Sequence, residues 1–394
     1  MRYAPVTERL AGLGGAKWQV HARARQMARA GEAVIELTIG EPDVATPAEL
    51  IEVAARAMED GRTGYSNGHG EPGLLRALAA RYTARRGRPF GHDNIMTFPG
   101  TQTTLYAVLN ALVSVGDEVL LGDPLYATYE GLVASTGASL VRVPLRPERG
   151  FRMDPADVAA RITPRSRVLF LNTPHNPTGA VLRRDEIAAL GRLAVEHDLW
   201  IVSDEVYEEL VFDNVAFASP LDLPEIADRV IAASSVSKSH AAPGFRSGWC
   251  VGPEEFVDRL LPLSETMLFG SQPFIADMTA VAVAEPSAVA AGMRERFARR
   301  AGLVAGRLNG AAGLKVHRPE AGMFALIDVR STGMSGEDFA MALLEECKVA
   351  VMPGESFGQA LGGWLRVSLT QPDDRIALAC ERIADFAATR QGRG

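Results

Sequence analysis

The sequence predicts an α/β fold, with a mostly parallel seven-stranded sheet in a large domain and a smaller α+β domain beside it. Seven short apolar runs alternate with helical segments, and they span residues 95–98, 119–121, 140–143, 168–171, 200–202, 230–233 and 249–251. Continuous apolar strands that alternate with helices are typical of a parallel sheet covered on both faces. After residue 285 this alternation gives way to longer helices, which indicates a second domain.

We expect three segments along the chain. Residues 1–45 form an N-terminal arm and part of the small domain, residues 46–285 form the large domain, and residues 286–394 form the small C-terminal domain. Apolar periodicity predicts further strands over 34–39, 323–329, 349–352 and 364–369, and helices over 46–58, 74–86, 103–113, 185–197, 286–308 and 336–347, with a last helix that ends near residue 389.

Composition and charge exclude several classes of protein. The chain of 394 residues has a formal net charge of -7 and no basic run, so nucleic-acid binding has no electrostatic support. No apolar run approaches the roughly 20 residues of a membrane span, and the N-terminal segment lacks the apolar centre of a signal peptide. The three cysteines are scattered and form neither a disulfide framework nor a metal-ligand cluster. We therefore expect a cytoplasmic protein without a metal site.

One lysine stands out by its position. The chain has only four lysines, and Lys238 is the one that follows an apolar strand, in the segment SSVSKSHAAPGFRSGW. A lysine that loses solvent at a strand end can act as an amine nucleophile toward carbonyl groups. Ser235 and Arg246 flank it with a hydroxyl and a guanidinium that suit a phosphate. The alternative is an ordinary solvated lysine at the edge of a loop.

Other polar residues follow the first two strands of the predicted sheet. In parallel α/β proteins, ligands bind beyond the carboxyl ends of the strands. Gly100, Thr101 and Gln102 form a strand-to-helix turn whose backbone N–H groups can cradle a phosphate, although such turns often use glycine for structural reasons alone. Tyr126 can stack on a planar ring, or it can simply pack at the sheet edge.

The next two strands end in further candidates. Asn176 can donate a hydrogen bond from a rigid, proline-rich turn, whereas His175 in the same turn is interpreted as structural rather than as a catalytic base. Asp204 is an acid at a desolvated strand end and needs a cationic partner, and Tyr207 lies three residues further on. An amine, a carboxylate, a phosphate cradle, a stacking ring and a hydrogen-bond donor together match the needs of pyridoxal phosphate.

The chain resembles the fold type I, pyridoxal-phosphate-dependent aminotransferases of class I/II along nearly its whole length. The segment SVSKSHAAPGFRSGW is similar to the lysine signature of that family. The resemblance implies that Lys238 forms the Schiff base and moves the substrate proton, and that Asp204 pairs with the pyridine nitrogen. It also implies that Tyr207 and Asn176 donate to the phenolate oxygen and that Tyr126 stacks on the ring.

The same resemblance assigns the phosphate and the substrate. It implies a phosphate site formed by Gly100, Thr101, Gln102, Ser235 and Arg246. Tyr65, in YSNGHGEPG, matches a tyrosine that reaches the phosphate of the neighbouring subunit, which implies a homodimer with shared active sites. Arg366, in WLRVSL, matches the arginine that binds the substrate α-carboxylate, with Gly40 and Asn176 beside it; the alternative for Arg366 is an ordinary sheet-face arginine. The Asp123–Pro124 and Asn176–Pro177 bonds are expected to be cis.

The resemblance also bears on the substrate. Aspartate-specific members carry a second cation, but Thr101 stands where one branch has a lysine, and no arginine occurs in Ser271-Gln272-Pro273. The segments KWQVHARAR, DLWIVSDEVYEELVFD and SKSHAAPGFRSGW are most similar to arginine–pyruvate aminotransferases, so we expect an amino acid donor and a 2-oxo acid acceptor such as pyruvate, used in a ping-pong reaction. We therefore do not expect the enzyme to prefer a dicarboxylate substrate.

Other functions remain open at the level of sequence. A β-lyase or a decarboxylase on the same fold would use the same lysine and arginine. A cofactor-sensing regulatory module would need an attached DNA-binding domain, for which the stretch before the first strand is too short. A nicotinamide-dependent oxidoreductase is disfavoured because no G-x-G-x-x-G motif follows a first strand.

Overall fold

The computed structural model describes residues 1–13, 15–212 and 215–390. The strands of this part, in chain order, are β1 (Ile35–Leu37), β2 (Ile95–Phe98), β3 (Glu118–Asp123), β4 (Ser139–Pro144), β5 (Ser166–Asn172), β6 (Trp200–Asp204), β7 (Val230–Ser235), β8 (Gly248–Val251), β9 (Lys315–His317), β10 (Phe324–Asp328), β11 (Val349–Pro353) and β12 (Trp364–Ser368). Its helices are α1 (Pro5–Leu10), α2 (Gln19–Arg29), α3 (Ala48–Glu59), α4 (Pro72–Arg86), α5 (Thr101–Leu112), α6 (Tyr129–Thr136), α7 (Pro155–Ala159), α8 (Arg184–Glu196), α9 (Val236–Ser239), α10 (Glu254–Leu268), α11 (Pro273–Ala284), α12 (Ala288–Leu308), α13 (Gly336–Cys347) and α14 (Asp373–Arg390).

The larger sheet has seven strands in the order β2-β8-β7-β6-β5-β3-β4. Strands β3 to β7 pair in parallel, and β8 runs antiparallel to both of its neighbours. This confirms the prediction of a mostly parallel seven-stranded sheet. Because the parallel strands end at one edge, the polar residues that follow β3, β5, β6 and β7 are brought together there.

Both faces of this sheet are buried, as continuous apolar strands require. Val168 and Phe170 of β5 pack into one core with residues of α5 and α6, while the alternating Leu169 and Leu171 pack into another core with residues of α8. Because successive side chains of a strand point to opposite faces of the sheet, a single apolar run contributes residues to both cores.

The smaller sheet has five strands in the order β1-β11-β12-β10-β9. β1 from the N-terminal segment pairs in parallel with β11, and the other pairs are antiparallel. Helices α2, α12, α13 and α14 contribute to the core on this sheet. The five strands agree with the expected α+β character of the smaller part, and the domain boundaries at residues 45 and 285 stay predictions.

No single helix within the described residues has the length and hydropathy of a membrane span. One bent pair, α11 with α12, satisfies the length and composition criteria together, with an angle of 66° between its members. Both helices contribute many residues to the buried cores of the protein.

Candidate active site

The carboxyl edge of the large sheet faces the small sheet across a cavity of about 240 Å³. All of the predicted site residues except Gly100 and Tyr65 line this cavity. They are Gly40, Thr101, Gln102, Tyr126, Asn176, Asp204, Tyr207, Ser235, Lys238, Arg246 and Arg366. The amine of Lys238 and the carboxylate of Asp204 thus share one cavity, which is the arrangement that pyridoxal phosphate requires.

Lys238 lies on the short helix α9, which begins directly after β7. The Ser235 hydroxyl caps this helix by accepting a hydrogen bond from the Ser237 N–H at 3.3 Å. The Lys238 Nζ donates to the Gly40 carbonyl at 2.7 Å. Burial lowers the pKa of Lys238 to about 8, and the nearby carboxylate of Glu41 opposes this shift. A neutral, nucleophilic amine is therefore accessible near neutral pH.

Asp204 is the last residue of β6 and is buried. Burial raises the pKa of this carboxyl to about 6, while a hydrogen bond from Tyr129, a second from the Val206 N–H and the charge of Lys238 lower it. The Tyr129 hydroxyl donates to Oδ2 at 2.7 Å, and the Val206 N–H donates to Oδ1 at 3.2 Å. These two donors favour the ionised carboxylate that a protonated ring nitrogen would need as a partner.

Tyr129 is a site residue that the sequence analysis does not identify. Burial raises the pKa of its phenol well above the usual value, so the group stays protonated and acts as a donor. Its ring packs against Phe170 at 4.7 Å and edge-on against Tyr126 at 5.4 Å between ring centroids. The available signal is the spacing of Tyr126 and Tyr129 in DPLYATYE, which brings the two rings into contact at the start of α6.

The turn before α5 forms a polar end of the cavity. Gly100 has a φ of 86°, and a Cβ at this position would come within 2.3 Å of the Arg246 Nη2. The turn therefore needs glycine so that the guanidinium can approach the start of the helix. The Thr101 Oγ1 is buried without a hydrogen-bond partner, and the exposed Arg246 side chain donates from Nη1 to the Pro243 carbonyl at 2.8 Å. The Gln102 side chain accepts from Thr128 at 3.0 Å.

Arg366 lies on β12 of the small sheet and is 2% exposed. Its Nη1 donates to the Asn176 side chain at 3.1 Å and its Nη2 to the Thr38 carbonyl at 2.6 Å, while its buried Nε has no partner. Phe324 lies 3.8 Å from the guanidinium carbon, measured to the ring centroid. Burial lowers the pKa of Arg366 to about 10, and this cation forms no ion pair with an acid among the described residues. A buried cation in this state is suited to an anionic ligand.

Gly40, Asn176 and Tyr207 complete the walls near Arg366. A Cβ on Gly40 would come within 2.1 Å of the Phe324 ring, so only glycine fits between β1 and the cavity. Burial raises the pKa of the Tyr207 phenol, and the nearby Asn176 side chain opposes this shift. The Asp123–Pro124 and Asn176–Pro177 bonds are cis, as expected, and Thr173–Pro174 is cis as well.

Besides Gly100, Tyr65 and His175 also lie outside the cavity. Tyr65 is 90% exposed and packs edge-on against Phe269, in a surface groove that also contains Ser271, Gln272 and Pro273. His175 is partly buried, its Nδ1 is 2.8 Å from the Thr178 hydroxyl, and desolvation lowers its pKa to about 3. This environment supports the interpretation of His175 as a structural residue.

The residues present fit pyridoxal phosphate on three observations. The unpartnered Thr101 hydroxyl lies at the N-terminus of α5 beside Arg246 and suits a phosphate. The buried Asp204 suits a protonated ring nitrogen. The partly buried amine of Lys238, whose pKa is lowered to about 8, suits covalent attachment of an aldehyde. On a mostly parallel seven-stranded sheet, these features define an enzyme of the class that works with pyridoxal phosphate.

Comparisons with known proteins give the family. The sequence profile described as Aminotransferase class I and II matches residues 32–383. An arginine–pyruvate transaminase of Pseudomonas aeruginosa is 42% identical over 393 residues, which cover 100% of this chain and 100% of that protein. An aspartate/prephenate aminotransferase of Cereibacter sphaeroides is 36% identical over 93% of this chain and 94% of its own length. A solved double mutant of Thermus thermophilus aspartate aminotransferase superposes with a TM-score of 0.92 at 33% identity, covering 98% of this chain and 100% of its own.

The chain therefore belongs to the class I and II aminotransferases. It is an aminotransferase that uses pyridoxal phosphate and transfers an amino group to a 2-oxo acid. The fold type I architecture expected from the resemblance is confirmed by the structural neighbours.

Proposed function

We propose that this enzyme transfers the amino group of L-arginine to pyruvate in two successive half-reactions at the cavity between the sheets. The observation that carries the proposal is that the partly buried Lys238 and the buried Asp204 and Arg366 line one cavity, each with a shifted pKa. Arginine and pyruvate are taken from the relative that is 42% identical over the full chain.

The roles of the residues follow from their contacts. Pyridoxal phosphate, when bound, withdraws electrons from the substrate Cα and so makes its proton acidic. In this proposal Lys238 holds the cofactor and moves that proton, and Asp204 keeps the ring nitrogen protonated. Tyr207 and Asn176 donate to the phenolate oxygen, and the Tyr126 ring stacks on the cofactor.

The two ends of the cavity would hold anionic groups. Gly100, Thr101, Gln102, Ser235 and Arg246 would bind the phosphate, which the unpartnered Thr101 hydroxyl supports. At the other end, the substrate α-carboxylate would pair with the Arg366 guanidinium, with Gly40 and Asn176 beside it. The closeness of Arg366 to Asn176, at 3.1 Å, supports a shared role in substrate binding.

We also propose a homodimer in which Tyr65 reaches the phosphate of the partner subunit. In support, Tyr65 is 90% exposed and Phe269, its edge-on neighbour, is 64% exposed, and large aromatic side chains of this kind are common at protein interfaces. A cytoplasmic location is proposed as well. The free state of all three cysteines suits a reducing compartment.

Replacing Lys238 tests the catalytic assignment. We expect Lys238→Ala to lose transamination by more than about 10³-fold, since it removes both the attachment point and the proton carrier. The variant should still bind the cofactor without a covalent bond, which absorption spectroscopy and ultrafiltration would detect. Lys315→Ala, which changes an exposed lysine on β9, is the matched control. Normal turnover by Lys238→Ala would refute the assignment.

A matrix of donors and acceptors tests the substrates. Purified holoenzyme would be supplied with each common L-amino acid and with pyruvate, 2-oxoglutarate or oxaloacetate, and both products would be quantified. We expect the highest kcat/KM for arginine with pyruvate. A clear preference for another donor, with transamination intact, would remove arginine while leaving the aminotransferase assignment in place.

A further inference from the structure

We propose that the indole ring of Trp18 receives the side chain of the amino donor and selects long side chains that end in a delocalised cation. This inference rests on the proposed function and names the residue that would set the donor preference. Trp18 lines the cavity together with Lys238 and Arg366, although the similarity of the segment KWQVHARAR, which contains it, gives Trp18 itself no role.

Trp18 lies on the carboxylate side of the cavity. Its ring packs edge-on against His21, with the ring centroids 6.2 Å apart. The His21 Nδ1 is 2.9 Å from the Thr38 hydroxyl, and the Thr38 carbonyl accepts a hydrogen bond from the Arg366 Nη2 at 2.6 Å. Trp18 is therefore connected through two residues to the guanidinium that would bind the donor's carboxylate.

The neighbouring Lys17 holds Trp18 on the opposite side. The Lys17 Nζ forms an ion pair with Glu130 of α6 and also approaches the Ala127 carbonyl at 3.4 Å. The Ser356 hydroxyl donates to the Lys17 carbonyl at 2.8 Å. Both the side chain and the backbone of Lys17 are thus fixed, so Trp18 is held between the Tyr126 turn and the Arg366 strand.

This position is where a donor side chain must run. A donor with its carboxylate at Arg366 and its amino group near Lys238 has its Cα between these two residues, and its side chain must contact other residues of the lining. Trp18 and Ile39 line the cavity and have no role with the cofactor or the α-carboxylate. A flat indole surface there offers contact area to a long aliphatic stem.

The charges of the cavity disfavour an acidic side chain. Lys238, Arg246 and Arg366 are the lysines and arginines that line it, and all three have roles with the cofactor or the α-carboxylate. No cation remains for a second carboxylate within the described lining. A guanidinium, in contrast, can stack on an indole face without an acidic partner. The geometry thus favours arginine over aspartate.

Donor half-reactions of the holoenzyme test the role of Trp18 without any acceptor. Stopped-flow absorption would give the second-order rate constants for L-arginine, L-citrulline and L-alanine with the wild type, Trp18→Ala and Trp18→Phe. Citrulline has the length and shape of arginine but a neutral end. We expect Trp18→Ala to lower the arginine-to-alanine ratio by about 2- to 30-fold, which is the range of cation–π contacts. The arginine-to-citrulline ratio should fall as well, and Trp18→Phe should lose less.

The controls separate this inference from the proposed function. Trp200→Phe changes a partly buried tryptophan outside the cavity, so both donor ratios should stay at the wild-type values. Unchanged ratios in Trp18→Ala, or equal losses for arginine, citrulline and alanine, would overturn the role of Trp18. A wild-type enzyme that prefers another donor would refute arginine as the substrate. That result is distinct from the result that refutes the role of Trp18, which is read from the donor ratios of the variants.

Lys17 is a positioning residue in this scheme. Lys17→Met and Glu130→Gln remove the same ion pair, so each should lower the arginine-to-alanine ratio by less than Trp18→Ala does. Neither should lower the ratio further when combined with Trp18→Ala. Additive losses in the double variants would show that Lys17 acts independently of Trp18.

Discussion

The hydrogen bond from Tyr129 to Asp204 lowers the proton affinity of the carboxylate that we propose as the partner of the cofactor's ring nitrogen. Tyr129→Phe removes only the hydroxyl that donates to the Asp204 Oδ2 at 2.7 Å, and it keeps the ring that packs against Tyr126 and Phe170. The Val206 N–H still donates to the other oxygen. The variant therefore changes one hydrogen bond in an otherwise unaltered site.

The size of the effect follows from the charge of the acceptor. A hydrogen bond to a charged group contributes about 1.5–3 kcal/mol, and one pKa unit corresponds to about 1.4 kcal/mol. Loss of the bond should therefore raise the pKa of Asp204 by about 1 to 2 from its value of about 6. At pH 7 the ionised fraction would fall from roughly nine tenths to between about half and one tenth.

The raised pKa of Asp204 can be measured by titrating pyridoxal phosphate into enzyme that has been freed of cofactor. Because the ring nitrogen needs the ionised carboxylate, affinity is retained above the pKa and lost as the pH falls through it. The dissociation constant of pyridoxal phosphate, titrated spectrophotometrically from pH 5.5 to 9, should be about 2- to 10-fold weaker in Tyr129→Phe at pH 7 and equal to wild type near pH 9. Tyr82→Phe, which removes a buried hydroxyl that accepts a hydrogen bond from the Trp249 indole N–H at 3.0 Å, is the control. An equal loss at every pH, or none, would refute the reasoning.

Two further predictions concern Glu41 and Arg366. Glu41→Gln removes a carboxylate that raises the pKa of Lys238, so the midpoint of the pH profile for covalent cofactor attachment should fall below the wild-type value near pH 8. The shift should be less than about 1 pH unit because Glu41 is exposed. A shift to higher pH would contradict this prediction. Arg366→Lys cannot make a bidentate pair, so kcat/KM for arginine should fall about 10²-fold or more. Agmatine, which lacks the carboxylate, should react equally with both enzymes, and a parallel loss for agmatine would contradict the assignment.

The large sheet and the residues at its carboxyl edge could be predicted because they depend on local patterns. An apolar run followed by a polar residue marks both a strand and its end, so Asp204 and Lys238 follow from β6 and β7. The strand predicted over 34–39 is shorter in the structure, where β1 spans Ile35–Leu37. Helices α10 and α11 are not among the predicted elements, and Pro262 lies inside α10.

The missed site residues depend on contacts between distant parts of the chain. Tyr129 and Asp204 are 75 positions apart and meet only because β3 and β6 belong to the same sheet. Trp18 reaches the cavity because Lys17 is bound to α6 and to Ser356 near the opposite end of the chain. Local sequence patterns do not predict such long-range contacts, which form only in the folded chain.

The hydrogen bonds of Lys238 and Arg366 join the two sheets. Lys238 after β7 donates to Gly40 after β1, and Arg366 on β12 donates to Asn176 after β5. Some of the hydrogen bonds between the two sheets thus use atoms of the residues that we propose for substrate binding. A bound amino acid would replace these hydrogen bonds with its own contacts to both sheets, and would therefore bridge the two sheets while it is bound.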